Sequence, residues 1–163
     1  MPLASNSFKL NVDAAYSSRT KEASLGMVVR DHLGSVLLCA VTKVDSIVFP
    51  LHAEIKALLF GLEITLNNSF LSLVVESDSL LAIQEILKQP VSFCVWEGII
   101  SDTIDLSLDC NLCNFHHIRR YANGFAHNLT KLCTELGDYK VWRNSLPLLY
   151  KSFYFIEKKM IWV

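Results

Sequence analysis

Apolar and polar residues alternate along the first part of the chain, and this pattern predicts strands. Residues 8–13 (FKLNVD) place every second side chain on one apolar face and end on the polar side at Asp13. Residues 16–24 are polar and turn-like. Residues 25–30 (LGMVVR) and 35–44 (SVLLCAVTKV) are rich in β-forming residues, and the DHLG sequence between them predicts a hairpin turn. We therefore expect three consecutive antiparallel strands.

The apolar spacing then changes to three and four residues, which predicts helices. Pro50 opens a helix of about four turns, and Asn67 and Asn68 end it. Its apolar positions are Leu51, Ile55, Leu58, Leu59, Leu62 and Leu66. The predicted elements that follow are a strand over 71–76, helices over 80–88 and 93–108, a strand over 111–118 and a helix over 123–136.

This order of elements predicts an α/β fold with a mixed five-stranded sheet. The three leading strands form an antiparallel meander, and the strand-helix-strand crossover adds two parallel strands, with helices covering the sheet. We place this domain at residues 1–136. Residues 137–163 form a tail with no structure assigned to it, which contains Pro147 and the sequence EKK at 157–159.

Composition narrows the class of protein. With 163 residues, 52% hydrophobic and 19% charged, the chain has the size and apolar content of one folded domain. Charges and turn residues interrupt every apolar stretch before the roughly 20 residues of a membrane span, so we expect no membrane insertion. A net charge of −1 argues against a protein that binds nucleic acid through many phosphate contacts. Any such binding is expected to be weak or to use metal ions.

The start of the chain and the cysteines bear on the compartment. Residues 1–8 do not have the pattern of a cleavable signal, so we expect an intracellular protein, in the nucleus or cytoplasm. Separately, we expect a monomer. Five scattered cysteines make a disulfide framework improbable and favour burial as apolar residues. Cys110 and Cys113 form a C-x-x-C pair, for which zinc binding and a redox role are weaker alternatives to burial.

Three acidic residues are the strongest candidates for chemistry. Asp13 is at a predicted strand end, Glu54 is in the first turn of the long helix, and Asp78 follows the next strand. Strands that are parallel neighbours bring such ends together, and clustered carboxylates need cations such as Mg²⁺ or Mn²⁺. Each residue also has a structural interpretation: Asp13 as a polar strand terminus, Glu54 as a partner of the helix dipole, and Asp78 as a helix N-cap.

Five segments in order resemble one family. They are LNVDAA (10–15), LGMVVRDHLGSVL (25–37), LHAEIKALLFGLE (51–63), VVESDSLLAI (74–83) and IRRYANGFAHNLTKL (118–132). Together they resemble the plant reverse-transcriptase-like ribonuclease H domains, which are similar to type 1 ribonuclease H and often derive from retroelements. The resemblance runs from about residue 8 to residue 136 and leaves the tail uncovered.

The resemblance implies a five-stranded mixed sheet with helices on both faces. It also implies cleavage of the RNA strand of RNA–DNA hybrids, with Asp13, Glu54 and Asp78 as metal ligands. The chain departs from the family pattern at two positions: Ala14 replaces a usual glycine, and His127 stands where the family has a fourth carboxylate, four residues after Asn123. Imidazole suits Mn²⁺ better than Mg²⁺. For His127 we keep three hypotheses: a weaker second metal site, a proton shuttle, and a surface residue without a role.

The functional hypothesis is a metal-dependent endonuclease, a hydrolase that uses two Mg²⁺ or Mn²⁺ ions ~3.5 to 4 Å apart. We expect Asp13, Glu54, Asp78 and His127 to be catalytic, and Asn123, Arg119 and Arg120 to contact nucleic acid. His116 and His117 lie near the position of a mobile active-site histidine in the family, without a clear match. Two alternatives remain: a module of the same fold that binds nucleic acid without cutting it, and an interaction domain of retroelement origin.

Overall fold

The computed structural model describes residues 3–88, 97–136 and 139–147, with the backbone alone described at 134–136. Within these ranges, strands and helices follow one another in the predicted order, with one additional strand. The strands are β1 (Phe8–Ser17), β2 (Glu22–Arg30), β3 (Val36–Val44), β4 (Ser72–Ser77), β5 (Leu112–His117) and β6 (Tyr139–Arg143). The helices are α1 (Pro50–Asn67), α2 (Leu80–Leu87), α3 (Glu97–Leu108), a 3-10 helix (Arg120–Asn123) and α4 (Gly124–Leu136).

The strands form one mixed sheet in the order β5-β4-β1-β2-β3-β6. β1, β2 and β3 make the predicted antiparallel meander, and β4 and β5 continue the sheet in parallel from β1. The mixed α/β sheet is therefore confirmed, with six strands in place of the expected five. A parallel β1–β4 pair is possible because α1 provides the long crossover that such a pair needs.

The sixth strand lies beyond residue 136, where we placed the end of the domain. β6 pairs antiparallel with β3, from Tyr139 opposite Thr42 to Arg143 opposite Leu38. The Arg143 Nε also donates a hydrogen bond of 3.0 Å to the Asn68 side chain at the end of α1. β6 thus covers the edge that β3 would otherwise expose. The domain boundary at 136 stays a prediction, and residues 148–163 lie outside the described residues.

Helices cover both faces of the sheet, as predicted. On one face, α1 packs over β1 and β2 around a large apolar core that includes Leu10, Val12 and Leu58. On the other face, α4 packs over β1, β2 and β3 with a smaller apolar cluster around Val28 and Leu129. Among the described helices, none combines the length and the apolar character that crossing a bilayer requires.

The first hairpin is longer than the sequence predicts. β1 continues to Ser17 and β2 begins at Glu22, so the turn is short and the prediction of a polar turn over 16–24 is wrong. Antiparallel pairing with β2 keeps these polar residues extended, and such tertiary context commonly overrides local preference. The turn between β2 and β3 is confirmed: the Asp31 carboxylate accepts hydrogen bonds from the Leu33 and Ser35 amides, and Gly34 adopts a φ of +79°.

The helix predicted over 93–108 is confirmed for its described part, which begins at Glu97. Its first residues, 93–96, lie outside the described residues together with Cys94. The last helix begins as a 3-10 turn at Arg120, and regular α-helix starts at Gly124. The apolar face predicted for it is buried at Ala126, Leu129 and Cys133.

Candidate active site

Asp13 lies inside β1, opposite Gly26 of β2, so its expected position at a strand end is wrong. The parallel pairing of β1 with β4, however, stops at Asn11 and Glu76, two residues before Asp13. Beyond that point β1 continues with β2 alone, and the chain after β4 turns away towards α2. Asp13 and Asp78 therefore approach each other where the parallel strands β1 and β4 separate, and not where β1 ends.

Gly26 lets α4 approach the sheet beside Asp13. A Cβ atom on Gly26 would lie 2.9 Å from the Ala126 carbonyl oxygen and 3.1 Å from the Thr130 Cγ2. Both distances are shorter than ordinary van der Waals contact, so any larger residue would push the helix and the strand apart. Because residue 127 follows directly after Ala126, the close approach brings the His127 ring to the sheet.

His127 and Asp13 are in direct contact. The His127 Nδ1 lies 2.8 Å from the Asp13 Oδ2, and Asp13 itself is only 3% exposed. Burial raises the pKa of Asp13 above its usual value, the charge of Asp78 raises it further, and the hydrogen bond from His127 lowers it. The structure therefore brings His127 and Asp13 together, and the role of His127 as a fourth ligand stays a prediction.

Glu54 lies in the second turn of α1, since the first turn contains no acidic residue; its expected position in the first turn is wrong. The dipole interpretation loses its support with it, because that effect is confined to the first turn. The Oε2 atom is buried without a hydrogen-bond partner among the described residues. Burial and then the charges of Asp13 and Asp78 raise the pKa of Glu54 to about 9, although Arg120 lowers it.

Asp78 is not the cap of α2, which removes its structural interpretation. Ser79 is the N-cap residue, and its side chain accepts the hydrogen bond from the Ala82 amide. The Asp78 Oδ1 instead accepts a hydrogen bond of 3.0 Å from the Asn123 Nδ2. One carboxylate oxygen of Asp78 is thus held by the protein at the edge of the site.

Asn123 forms hydrogen bonds to β1 and to the residue that follows β4, where these two strands separate. Its Nδ2 donates both to Asp78 and, at 2.8 Å, to the Val12 carbonyl oxygen just past the last parallel pair. The side chain is 1% exposed, so in this arrangement its amide is engaged with the protein. Contact between Asn123 and nucleic acid, which we expected from the sequence, stays a prediction and requires this arrangement to open.

A buried polar network behind Asn123 was missed by the sequence analysis. Asn11, completely buried, donates from its Nδ2 to the Asn123 Oδ1 (3.3 Å) and to the Glu76 Oε2 (2.9 Å). Its Oδ1 accepts a hydrogen bond of 2.8 Å from Arg30, and Lys9 pairs with Glu76 at 3.0 Å. The available signal was an asparagine in the middle of a strand, a residue type that strands disfavour.

The basic residues expected to contact nucleic acid are exposed beside the site. Arg119 and Arg120 both face solvent, and the charge of Arg120 acts on Glu54. His116 and His117 are exposed on the edge strand β5, opposite Glu76 and Ser77. Positive charge at the rim of an acidic centre suits a polyanionic ligand.

Of the four cysteines that the structure describes, Cys39 and Cys110 donate hydrogen bonds to backbone carbonyl oxygens and not to the acidic residues of this site. Cys39 and Cys133 are buried, whereas Cys110, between α3 and β5, and Cys113, within β5, are half-buried free thiols. Burial raises the pKa of both Cys39 and Cys113 to about 12, which disfavours the thiolate form that a nucleophile needs. The described C-x-x-C pair therefore offers no support for the zinc or redox alternatives.

The carboxylate oxygens of Asp13, Glu54 and Asp78 are ligands that suit a divalent cation, but their present positions do not form a metal site. Among the described residues, no group of three or more His, Cys, Asp or Glu side chains is placed so that it could hold a metal ion as it stands. Mutual repulsion and the bond of His127 to Asp13 both oppose such a group. The oxygen donors and the buried, unpartnered Glu54 Oε2 nevertheless fit Mg²⁺ or Mn²⁺, because an added cation would remove the repulsion between them.

A groove of about 630 Å³ lies elsewhere, between α1 and the β3–β6 edge, with Lys56, Glu63 and Tyr139 among its lining residues. None of the three acidic candidates lines it. The groove is therefore separate from the acidic site around Asp13.

Comparison with known proteins identifies the architecture. A family model described as "Reverse transcriptase-like" matches residues 11–133. No curated protein matches the sequence at a significant level. The plant and retroelement parts of the expected resemblance stay predictions.

Solved structures of ribonucleases H share the fold. RNase H1 from Halobacterium salinarum NRC-1 is 16% identical, with a TM-score of 0.71 over 80% of this chain and 99% of its own. The N-terminal RNase H domain of Rv2228c from Mycobacterium tuberculosis is 18% identical, with a TM-score of 0.70 over 79% and 94%. LC11-RNase H1, solved in complex with an RNA/DNA hybrid, is 19% identical, with a TM-score of 0.66 over 76% and 94%.

Proposed function

The chain belongs to the reverse transcriptase-like family, and from that premise we propose that it is a metal-dependent endonuclease that cleaves the RNA strand of RNA–DNA hybrids. The ribonuclease H fold supports a ribonuclease, and the hybrid bound by LC11-RNase H1 supports this substrate class. A monomer, an intracellular location and a retroelement origin belong to the same proposal.

One observation carries the proposal: the Glu54 Oε2 is buried, faces the charges of Asp13 and Asp78, and has no hydrogen-bond partner among the described residues. An unsatisfied buried oxygen costs about 1–3 kcal/mol, and nearby negative charges add to that cost. A protein keeps such an arrangement when function requires it, and a divalent cation would satisfy all three carboxylates at once.

Each residue of the site has a distinct proposed role. Asp13, Glu54 and Asp78 would hold two divalent cations, which supply Lewis-acid stabilisation of the charge that develops at a scissile phosphate. His127 would hold or move a proton at the Asp13 Oδ2 side of the site. Arg119 and Arg120 would bind the phosphate backbone at the rim. Contacts to 2′-hydroxyl groups would distinguish RNA from DNA.

Cleavage of a labelled hybrid tests the proposal. The RNA strand of a hybrid, a duplex RNA and a duplex DNA are each incubated with the protein while Mg²⁺ or Mn²⁺ is titrated. We expect cation-dependent cleavage of the hybrid's RNA strand alone. No cleavage with either cation would refute the enzymatic proposal.

Two glutamates on α1 provide a matched pair of variants. Glu54→Gln replaces the carboxyl group at the site, whereas Glu63→Gln replaces one nine residues further along the same helix, in the groove away from Asp13. Burial raises the pKa of both glutamates, so the two substitutions are similar in kind. We expect loss of cleavage with Glu54→Gln only. Equal effects would indicate that Glu54 has no special role.

A second candidate function is binding without cleavage, and the His127–Asp13 bond favours it. That bond engages an oxygen that the enzyme needs for metal binding, and a histidine is a poorer ligand for Mg²⁺ than a carboxylate. A hybrid that is shifted in a salt-dependent manner but never cut would support this function. If the protein neither cuts nor shifts the hybrid, the remaining alternative is an interaction domain.

A further inference from the structure

Asn11 occupies an unusual position, in the middle of a strand, completely buried and fully hydrogen-bonded. Its two amide hydrogens are directed at Asn123 and Glu76, and its oxygen at Arg30. Arg30 is 8% exposed, so the guanidinium group that donates to Asn11 is also buried. Burying these groups is costly unless each has a partner, and here each has one.

The partners determine how the Asn11 amide is oriented. A guanidinium can only donate and a carboxylate can only accept, so the oxygen of Asn11 must face Arg30 and its nitrogen must face Glu76. Lys9 holds Glu76 in place from the other side, at 3.0 Å. The orientation of Asn11 is therefore imposed by two charged residues, one on β2 and one on β4.

Asn11 in turn orients Asn123. A hydrogen of Asn11 points at the Asn123 oxygen, and the acceptors at Val12 and Asp78 face the Asn123 nitrogen, so all three contacts favour one orientation. Asn11 is the partner that holds the oxygen end. In the reversed orientation, the Asn123 oxygen would face a carbonyl and a carboxylate, and both contacts would be repulsive. The correct orientation is what lets Asn123 hold Asp78.

We infer that Asn11 is a positioning residue: through Asn123 it sets the side chain of Asp78, so that this carboxylate is presented in one orientation to the site. The chain of contacts runs from Arg30 and Glu76 through Asn11 and Asn123 to Asp78. The inference rests on the proposed function in that Asp78 acts in it. The orientation of Asn123, however, can be measured without any activity.

The first test uses the side-chain amide of Asn123 as a reporter in nuclear magnetic resonance spectra, assigned through its loss in Asn123→Ser. Both of its hydrogens are bonded to the protein, so in the wild type they should exchange slowly with water. In Asn11→Ala we expect exchange to accelerate roughly tenfold or more, the equivalent of about one lost hydrogen bond. Val28→Ala is the matched control: Val28 is buried and pairs with Asn11 across β1 and β2, but lies outside the polar network.

The second test asks whether the orientation matters to the site. For Asn11→Ala we expect Mn²⁺ affinity by calorimetry and kcat on the hybrid to fall by roughly 10–100-fold, as for residues that support metal ligands. The KM for the hybrid should not change, because Asn11 is completely buried. Val28→Ala should lower the melting temperature without these losses.

A second variant guards against failure of Asn11→Ala to fold. Asn11→Asp combined with Glu76→Gln conserves both shape and net charge, keeps the contact with Arg30, and leaves no hydrogen to donate to Asn123. We expect it to fold and to show the same faster exchange of the Asn123 amide. Glu76→Gln alone, which keeps an acceptor for Asn11, should show a smaller acceleration.

The outcomes separate this inference from the proposed function. If the wild type neither binds Mn²⁺ nor cleaves the hybrid, the proposed function fails, and the exchange rates of Asn123 still decide whether Asn11 orients it. If the wild type cleaves, but a folded Asn11 variant matches Val28→Ala in amide exchange and kcat, the inference is overturned while the proposed function stands.

Discussion

At the centre of β1, the residues on the two sides of the strand are almost equally buried and differ in chemistry. Leu10 and Val12 are 0% exposed and point into the apolar core under α1. Asn11 and Asp13 are 0% and 3% exposed and point towards α4, where a hydrogen-bond network receives them. Adjacent residues of β1 thus lie in different surroundings: an apolar core on one face, and on the other a polar network next to the smaller apolar cluster.

The comparison shows that burial alone does not identify the site. On the α1 side the energy depends on filled volume, so a missing methyl group is felt as a cavity. On the α4 side it depends on whether each polar group has a partner. Among the described residues, the buried side-chain oxygen that lacks one is the Glu54 Oε2, which belongs to α1. Substitutions in the apolar core should therefore lower the stability of the fold, whereas substitutions among the polar residues should lower activity.

The largest separation is expected between Asp13→Asn and Leu10→Ala. Asp13→Asn should lower kcat on the hybrid on the order of a thousandfold, because it removes a charge that stabilises the bound cations. Its melting temperature should stay unchanged or rise, since burial and Asp78 already raise the pKa of Asp13 and the neutral amide avoids that cost. Leu10→Ala should lose about 2–5 kcal/mol of stability while the folded fraction keeps its kcat.

Calorimetric melting and single-turnover cleavage measure both variants. If Asp13→Asn unfolds the chain, Asp13 is a structural residue. If Leu10→Ala loses activity in the folded fraction, the two sides of β1 are not independent.

Two glycines allow a sharper comparison between the faces. A Cβ on Gly61 would lie 2.6 Å from the Val12 Cγ1 in the apolar core, whereas one on Gly26 would meet the Ala126 carbonyl beside His127. Each Gly→Ala substitution should cost about 1–3 kcal/mol of stability, since neither side has room. Only Gly26→Ala should also lower kcat, because it displaces α4. Denaturant unfolding with parallel cleavage assays tests this, and equal kcat values in the two variants would contradict it.

His127→Asp should give a gain of activity. Replacing the imidazole with a carboxylate supplies the ligand that Mg²⁺ prefers, and we expect Mg²⁺-dependent turnover to rise about tenfold, or about 1.4 kcal/mol. Without divalent cations the same variant should melt at a lower temperature, because a further negative charge joins Asp13. Turnover that fails to rise would place His127 outside the fourth ligand position. His127→Asn, which adds no charge, serves as the control.

The smallest expected effect, counted per pH unit, is on the pH dependence of stability. Glu54 has a pKa of about 9 in the folded chain against a usual value of 4.5, so between these values the folded state holds a proton that the unfolded state has released. The free energy of unfolding should therefore fall as pH rises through this window, by less than about 1.4 kcal/mol per pH unit.

Denaturant unfolding in a chelator from pH 5 to pH 9 measures this slope. Glu54→Gln should flatten it more than Glu63→Gln, and added Mn²⁺ should flatten it in the wild type. If Glu54→Gln leaves the slope unchanged, Glu54 is already ionised in the folded chain, because a group with the same protonation in both states contributes no slope.

Much of the fold was predictable because it is encoded in local periodicity. The alternation in β1, the three-and-four spacing from Pro50, and the Asp31–Gly34 turn are short-range patterns that the structure confirms. The extension of β1 to Ser17 was not predictable from those patterns, because polar residues remained extended only through pairing with β2. β6 was missed although Tyr139, Val141 and Trp142 favour strands. Its five residues form too short a pattern to show that it pairs with β3.

The candidate residues of the site were available from the sequence, and their interpretations were not. The sequence left Asp78 as either a helix cap or a functional carboxylate, and only the structure shows that Ser79 caps α2. Likewise, the contact between His127 and Asp13 joins residues 114 positions apart, which no local pattern encodes.

By itself, the sequence determined which side chains alternate between the two faces of each strand, and hence that Asn11 and Asp13 share a side. Only the tertiary structure decided what meets them there. The depth of α4 over Gly26, the parting of β1 from β4 after Asn11, and the charges of Arg30 and Glu76 all come from distant segments. Periodicity is a local property of the backbone, whereas the partners of a buried polar group are set by packing between elements.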